Sequence, residues 1–204
     1  MGAAVRERIA DILRTIPDPT VIELGAHRGN DTVWLRSLCS GAPKYLAVEA
    51  DPRHYPLLRQ IWGFQMVEAA IASYTGMITL HLSDNDVGVV PASSSIRQPL
   101  LHQEHWPWCR FDQTIEVPCV TLDKLAGREL PIGPIHLLWA DIQGAERDMI
   151  EGGRKTLART HWLYMEAYEC EMYEGQAVRS ELLAMLPGFQ LVMQDAENVL
   201  LEHV

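Results

Sequence analysis

In VIELGAHRGNDT, residues 21–32, an acid stands two residues before the first of two glycines spaced four apart: Glu23, Gly25 and Gly29. Gly25 can take backbone angles closed to other residues and lets a ligand approach the main chain. Gly29 frees the entrance to a helix that Asn30 or Asp31 would cap. The spacing is G-x-x-x-G, not the G-x-G-x-x-G that seats a pyrophosphate on a helix amino terminus. A carboxylate projecting into such a loop repels a diphosphate and attracts an ammonium or a sulfonium, and S-adenosylmethionine carries both. Ala26 and Thr32 complete the candidate contacts of this loop. A purely local role, in which Glu23 caps a turn, is the alternative.

Glu49 ends the apolar run KYLAVE, 26 residues after Glu23, with Ala50 beside it. An acid about 20 residues past a glycine loop is placed to accept hydrogen bonds from ribose hydroxyls, the alternative being a solvated charge. At the end of the run FQMVEAAI, Ala70 and Ile71 would lie against an adenine, with backbone groups giving recognition. The run IHLLWADI ends in Asp141, followed by Gly144 and Glu146, and HWLYMEAYE supplies Glu166 and Tyr168. Asp141 could orient an acceptor hydroxyl, take its proton, or ligate a metal. Glu146 suits the first turn of the next helix, where the macrodipole favours an acid. Acids gathered at one sheet edge face a polar cleft, because burying charge is costly.

Short apolar, β-rich runs alternate with helical patterns: TVIEL then NDTVWLRSLC, KYLAVE then RHYPLLRQIW, FQMVEAAI, IHLLWADI then ERDMIEGGRKTLAR, and HWLYMEAY then GQAVRSELLAML. FQLVMQ and ENVLLEHV close the chain as a hairpin. This alternation predicts an α/β, doubly wound, mostly parallel sheet covered by helices on both faces, with ligands beyond the carboxyl ends of its strands. The whole of 1–204 reads as one domain. Residues 1–16 form an amphipathic amino-terminal helix. Residues 74–125 form an insertion in which MITLHLS and TIEVPCV flank a polar, aromatic-rich segment.

The composition is 48% hydrophobic and 22% charged, that of an ordinary soluble protein, and no apolar run approaches the roughly 20 residues of a membrane span. The amino terminus lacks the apolar core of a signal peptide, and Arg6 stands where a myristoylation signal wants Ser or Thr. Cys39, Cys109, Cys119 and Cys170 show no metal-ligand spacing and read as reduced thiols of a cytoplasmic protein. A net charge of −10 disfavours a nucleic-acid partner.

With these residues in view, the sequence from about Thr20 to Glu169 resembles the FkbM-type methyltransferases, a branch of the class I S-adenosylmethionine-dependent enzymes. The resemblance is carried by VIELGAHRGNDT, YLAVEADP, EAAIASYTGMITLHLS, SSSI, VPCVTLDKL and LLWADIQGAERDMIEGG, with Thr121, Leu122, Asp123, Asp141, Gly144 and Glu146 matching its more specific blocks. The chain departs at Trp139, where Lys is frequent, at Ala140, where a β-branched residue is usual, and at Gln143, where a glutamate is typical. The resemblance implies a seven-stranded, Rossmann-like sheet with a final antiparallel hairpin and a β/loop insertion between strands 3 and 4. It implies S-adenosylmethionine as methyl donor, S-adenosylhomocysteine as product, and O-methylation of a sugar or natural-product hydroxyl. Asp141 is then the expected base. His102 and His105, in the insertion that would cover the acceptor, compete with it because imidazole titrates near neutral pH. Ser94, Ser95, Trp106, Trp108, Glu166 and Tyr168 are the expected acceptor contacts, though WPW would equally anchor the insertion. A homodimer is left open.

Three further readings stay in play. A magnesium-assisted variant has Asp141 and Glu166 share the cation with the acceptor. A nicotinamide-dependent oxidoreductase would need a pyrophosphate-compatible loop, which Glu23 opposes. A non-catalytic cofactor-binding or interaction domain is favoured by Gln143. In scanning fluorimetry, S-adenosylmethionine and S-adenosylhomocysteine are expected to raise the melting temperature and NAD to leave it unchanged; a shift with NAD alone selects the oxidoreductase.

Overall fold

The computed structural model describes residues 2–86, 88 and 90–204. Its centre is a seven-stranded sheet of β1 (Thr20–Leu24), β2 (Lys44–Glu49), β3 (Gln65–Glu68), β7 (Ile135–Ala140), β8 (Thr160–Glu166), β9 (Phe189–Gln194) and β10 (Asn198–His203), in the order β3-β2-β1-β7-β8-β10-β9. β3, β2, β1, β7 and β8 run parallel, whereas β10 is antiparallel to both β8 and β9. This is the α/β doubly wound sheet with a terminal hairpin that the alternation of runs predicts. The order reverses between β1 and β7, so the ends of these two strands and of β2 open onto the crevice where such sheets take ligands.

Strand periodicity divides the core in two. Ile22 and Leu24 of β1 join the cluster beneath α5 (Leu122–Glu129), α6 (Glu146–Gly152), α7 (Arg154–Leu157) and α8 (Arg179–Ala184). Val21 faces the other side, where α1 (Ala3–Thr15) and α2 (Asn30–Leu38) bury Ile9, Leu13, Leu35 and Leu38 against Leu137 and Trp139. With both faces covered, the central strands are apolar along nearly their whole length.

The structure departs from the sequence pattern where tertiary pairing intervenes. FQMVEAAI is not one strand: β3 ends at Glu68, the Ala69 amide donates to the Glu49 carbonyl at 3.0 Å, and Ala70–Ile71 form β4 in a second sheet. That sheet has the order β4-β6-β5, with β5 (Gly76–Asp84) and β6 (Arg110–Val120) antiparallel and the short α4 (His102–His105) between them. The RHYPLLRQIW helix shrinks to one turn, α3 (Tyr55–Leu58). The helix after β7 is interrupted between α6 and α7 at Gly153, where a Cβ would stand 2.5 Å from the Met149 carbonyl. Neither Asn30 nor Asp31 caps α2; the cap position is Gly29 itself, at φ 84°, because a side chain there would meet Ile61 at 2.2 Å.

At Gly25, φ is 85° and a Cβ would lie 1.8 Å from the Asp141 carbonyl oxygen. Gly25→Ala is therefore expected to lower unfolding free energy by at least about 2 kcal/mol in urea titration, through both backbone strain and displacement of β7.

Candidate active site

A cavity of about 370 Å³ opens at the carboxyl ends of β1, β2, β4 and β7. Gly25 and Ala26 of the glycine loop, Glu49 and Ala50 after β2, and Ala70 and Ile71 of β4 all line it, as the sequence predicts. Asp141 joins them from the end of β7, and Ser94 and Ile96 reach in from the segment between β5 and β6.

The loop is stitched to its neighbours by backbone bonds. The amides of Gly25 and Ala26 both donate to the Val48 carbonyl, at 2.9 and 3.0 Å, and the Asp141 amide donates to the Leu24 carbonyl at 2.9 Å. Glu49 is held from both ends: Oε2 accepts from the His27 amide at 2.6 Å and Oε1 from the Asp51 amide at 2.7 Å. Each oxygen keeps acceptor capacity for a ligand hydroxyl. Burial outweighs these bonds and pushes the Glu49 pKa up to about 7.

Glu23 is placed differently from the expectation. It shares the strand face of Val21, so it points beneath the loop and is not among the cavity-lining residues. It is fully buried, and its Oε2 accepts from Thr32 Oγ1 at 2.7 Å and from the Tyr45 hydroxyl at 2.8 Å. Its Oε1 has no partner, and burial raises the pKa to about 7 against the two hydroxyl bonds. Glu23 and Thr32 thus tie β1 to the first turn of α2 and set the loop's height.

Asp51 anchors the insertion. Its Oδ2 accepts from Ser94 Oγ at 2.9 Å and from Arg53 Nη2 at 2.6 Å, while Arg53 also donates to the Ser83 carbonyl. Burial works to raise the Asp51 pKa, but the bonds from Arg53 and Ser94 outweigh it and the net shift is downward.

At the end of β7, burial raises the Asp141 pKa to about 6. Gln143 Nε2 donates to Asp141 Oδ1 at 2.7 Å and to Glu166 Oε2 at 2.9 Å. Glu166 accepts also from the Tyr168 hydroxyl at 3.1 Å, and burial followed by the charges of Asp141 and Glu146 lifts its pKa well above the carboxylate range. Glu166 and Tyr168 stand behind Asp141 and do not line the cavity. Ser95 also lies behind the lining, donating to the Gln143 carbonyl at 2.6 Å. Glu146 opens α6, as the dipole reading expects, and burial takes its pKa to about 8.

The magnesium reading does not fit this donor set. The two acids that would share a cation have amide hydrogens pointed at them, and among the described residues no cluster of three or more His, Cys, Asp or Glu side chains could hold a metal.

The insertion's histidines and tryptophans lie outside the cavity lining. His102 is buried against Trp106, Phe111 and Tyr173, at ring separations of 4.7, 5.3 and 5.3 Å, and burial takes its pKa down to about 4. Its placement is that of a packing residue, with Trp106 as its platform. His105 and Trp108 are exposed.

Two residues that the sequence reading passed over do line the cavity. His27 and His54 meet edge to face at 4.2 Å, and burial lowers both pKa values, that of His54 to about 4. His27 Nε2 is buried without a partner, a free polar atom in the wall. Both histidines follow strand ends, in GAHRG and DPRHY; attention to acids alone hid them.

The fold has solved counterparts. The chain aligns over its full length with the O-methyltransferase from Bacillus cereus in complex with S-adenosylhomocysteine, covering 82% of that chain at TM-score 0.59 and 10% identity. It aligns over 93% of its length with methyltransferase FkbM from Methylobacillus flagellatus KT, at TM-score 0.58 and 13% identity, and spans only 44% of that longer chain. These likenesses define the class of fold, that of the Rossmann-like methyltransferases. The model of the methyltransferase FkbM domain matches residues 23–197. The chain is also 36% identical over 201 residues to the 2-O-methyltransferase NoeI of Sinorhizobium fredii (strain NBRC 101917 / NGR234), covering 96% of this chain and 82% of that protein. The chain belongs to the FkbM methyltransferase family and is an S-adenosylmethionine-dependent methyltransferase. The nicotinamide reading falls with that membership.

Glu23 makes stability depend on pH in a stated direction. Its pKa rises from 4.5 to about 7 on folding, so the folded chain keeps a proton that the unfolded chain releases. Stability from this group is full below pH 4.5 and is lost as pH rises to about 7. Denaturant titrations at pH 4.5 and 8 are expected to show this loss shrink by roughly 3 kcal/mol in Glu23→Gln.

Proposed function

We propose that this enzyme methylates a hydroxyl oxygen of a small molecule, a sugar or a natural product, with Asp141 as general base. The observation that carries the reading is the Asp141 carboxyl, in the wall of the cavity that the Gly25 loop and Glu49 share, with a pKa near 6. An acid of that strength is ionised at neutral pH yet basic enough to take a proton from an acceptor. The names of the relatives, a 2-O-methyltransferase and an O-methyltransferase, support oxygen as the target atom.

S-adenosylmethionine, when bound, supplies a methyl group carried on a positively charged sulfur. The residues present suit it: Glu49 for the ribose hydroxyls, Ala70 and Ile71 for the adenine, and the bare backbone at Gly25 and Ala26 for the remainder. Glu23 acts through the loop that it supports. Asp141 takes the acceptor's proton as the oxygen–carbon bond forms and the carbon–sulfur bond breaks, leaving methyl ether and S-adenosylhomocysteine. Most of the rate gain comes from holding the acceptor in line. Residues 74–125, through Ser94 and Ile96, cover the acceptor side within a single domain of 1–204. The four cysteines are free thiols, and no described helix is long and apolar enough to cross a membrane, which suits a cytoplasmic setting.

Transfer from S-adenosylmethionine labelled in its methyl group to a panel of sugars and hydroxylated metabolites tests the reading, with titration calorimetry against S-adenosylhomocysteine alongside. Asp141→Asn is expected to keep product affinity and lose roughly 10²–10⁴-fold in turnover. The wild-type rate should climb as pH rises through about 6. Turnover at the wild-type rate in Asp141→Asn removes this residue from the chemistry.

A further inference from the structure

Asp141 and Glu166 end two adjacent strands, β7 and β8, and their carboxyl groups converge on one spot. Two acids so close, Glu166 buried and Asp141 half-buried, repel each other unless a cation or a proton lies between them. The described arginine pairs around this corner, Arg97–Asp148, Arg147–Glu181 and Arg179–Glu169, all engage other carboxylates. Glu166, with its pKa lifted well above the carboxylate range, keeps its proton, and between it and Asp141 lies the neutral side chain of Gln143.

Its amide is fully used. One hydrogen goes to Asp141 Oδ1 at 2.7 Å and the other to Glu166 Oε2 at 2.9 Å, while Oε1 accepts from the Tyr173 hydroxyl at 2.7 Å. Turning the amide over would aim its oxygen at both carboxylates, so the network fixes its orientation. The backbone is committed too: Gln143 sits at φ 53° and its carbonyl accepts from Ser95. A left-handed turn is most readily made by Gly, Asn or Asp. Glutamine is none of these, so the side chain and not the turn accounts for the residue. Gly144 follows at φ 92°, with the Tyr173 ring packed 3.2 Å from where its Cβ would be. The β7 turn, the end of β8, the insertion and the Tyr173 loop therefore meet on one amide.

We propose that Gln143 is a positioning residue whose two amide hydrogens take the place of a bridging cation between Asp141 and Glu166, holding the Asp141 carboxylate in the cavity wall for metal-free proton transfer. This rests on the role of Asp141 in the proposed function. The geometry supplies the reason for a neutral residue here: a carboxylate at 143 would set a third acid against the other two, and that cluster would need a cation.

The test uses the full chain with ¹³C-labelled Asp and Glu carboxyl groups, and needs no acceptor. In Gln143→Ala the Asp141 resonance, assigned by its loss in Asp141→Asn, is expected to titrate about one pH unit higher, because a hydrogen bond to the charged form is gone. Gln143 also lines the cavity, and binding of S-adenosylhomocysteine should persist in this variant. Manganese(II) followed by electron paramagnetic resonance should remain free with the wild type, be bound by Gln143→Glu, and be released again when Asp141→Asn is added to that variant. Should Gln143→Ala not fold, Tyr173→Phe, which frees Oε1, should shift the titration in the same direction by less. A wild type that binds manganese as Gln143→Glu does, a Gln143→Glu that binds none, or an unshifted Asp141 titration overturns the proposal. A wild type that ignores S-adenosylhomocysteine overturns the proposed function instead.

Discussion

The carbonyl of Asp141 occupies the space that a side chain at position 25 would fill, and the rest of the site follows from that close approach. Because residue 25 is glycine, the loop after β1 passes directly under the last peptide of β7, and the Asp141 amide can close onto Leu24. The same loop then turns back onto Val48, which delivers the His27 amide to Glu49. Three strand ends become one wall through backbone contacts and the amide bonds to the Glu49 carboxylate, with Glu49 and Asp141 both lining the cavity. A precise site is supported here by rigid strands and not by the reach of flexible side chains.

The fold gathers acids at this edge and treats each differently. Glu23 takes two hydroxyls on one oxygen and none on the other, Glu49 takes two backbone amides, Asp51 a guanidinium, and Asp141 with Glu166 one neutral amide. Only Asp51 is held below its ordinary pKa; burial pushes the others up, to about 7 for Glu23 and Glu49 and about 6 for Asp141. Of these acids Glu49 and Asp141 line the cavity, and with both pKa values raised that wall is anionic only in part. A cationic ligand favours the ionised acids, and by linkage the ionised acids favour the cation.

Much of this was legible in the residues. The β1, β2 and β7 runs and the acids that end them stand out because a buried parallel strand is apolar until it reaches the cleft, where polarity returns abruptly. The side on which Glu23 falls was not legible: Val21, Ile22 and Leu24 are all apolar, so the alternation of faces left no trace in residue type. The break of FQMVEAAI at Ala69 was hidden for a similar reason, since β4 leaves the main sheet to pair with Cys119 and Val120, a partner far along the chain. Trp106 and His102 carried the residue types of a binding surface, and only their mutual packing shows that they serve the insertion's own core. Gln143 was visible as a departure; its purpose needed Glu166, 23 residues away, to be brought beside it.

β4, β5 and β6 form a ribbon that contributes Ala70, Ile71 and Leu80 to the cavity wall. It leaves the main sheet at Ala69, directly after β3, so Ala70 and Ile71 belong at once to the ribbon and to the cavity wall. The segment between β5 and β6 is also fastened to the body of the chain, by Ser94 on Asp51, Ser95 on Gln143, Arg97 on Asp148, the Tyr173 hydroxyl on the Ser93 carbonyl, and the Leu100 and His102 amides on the Met172 carbonyl. A covering piece fastened along so much of its length is a fixed wall of the site, so the opening through which ligands pass is set by the fold itself.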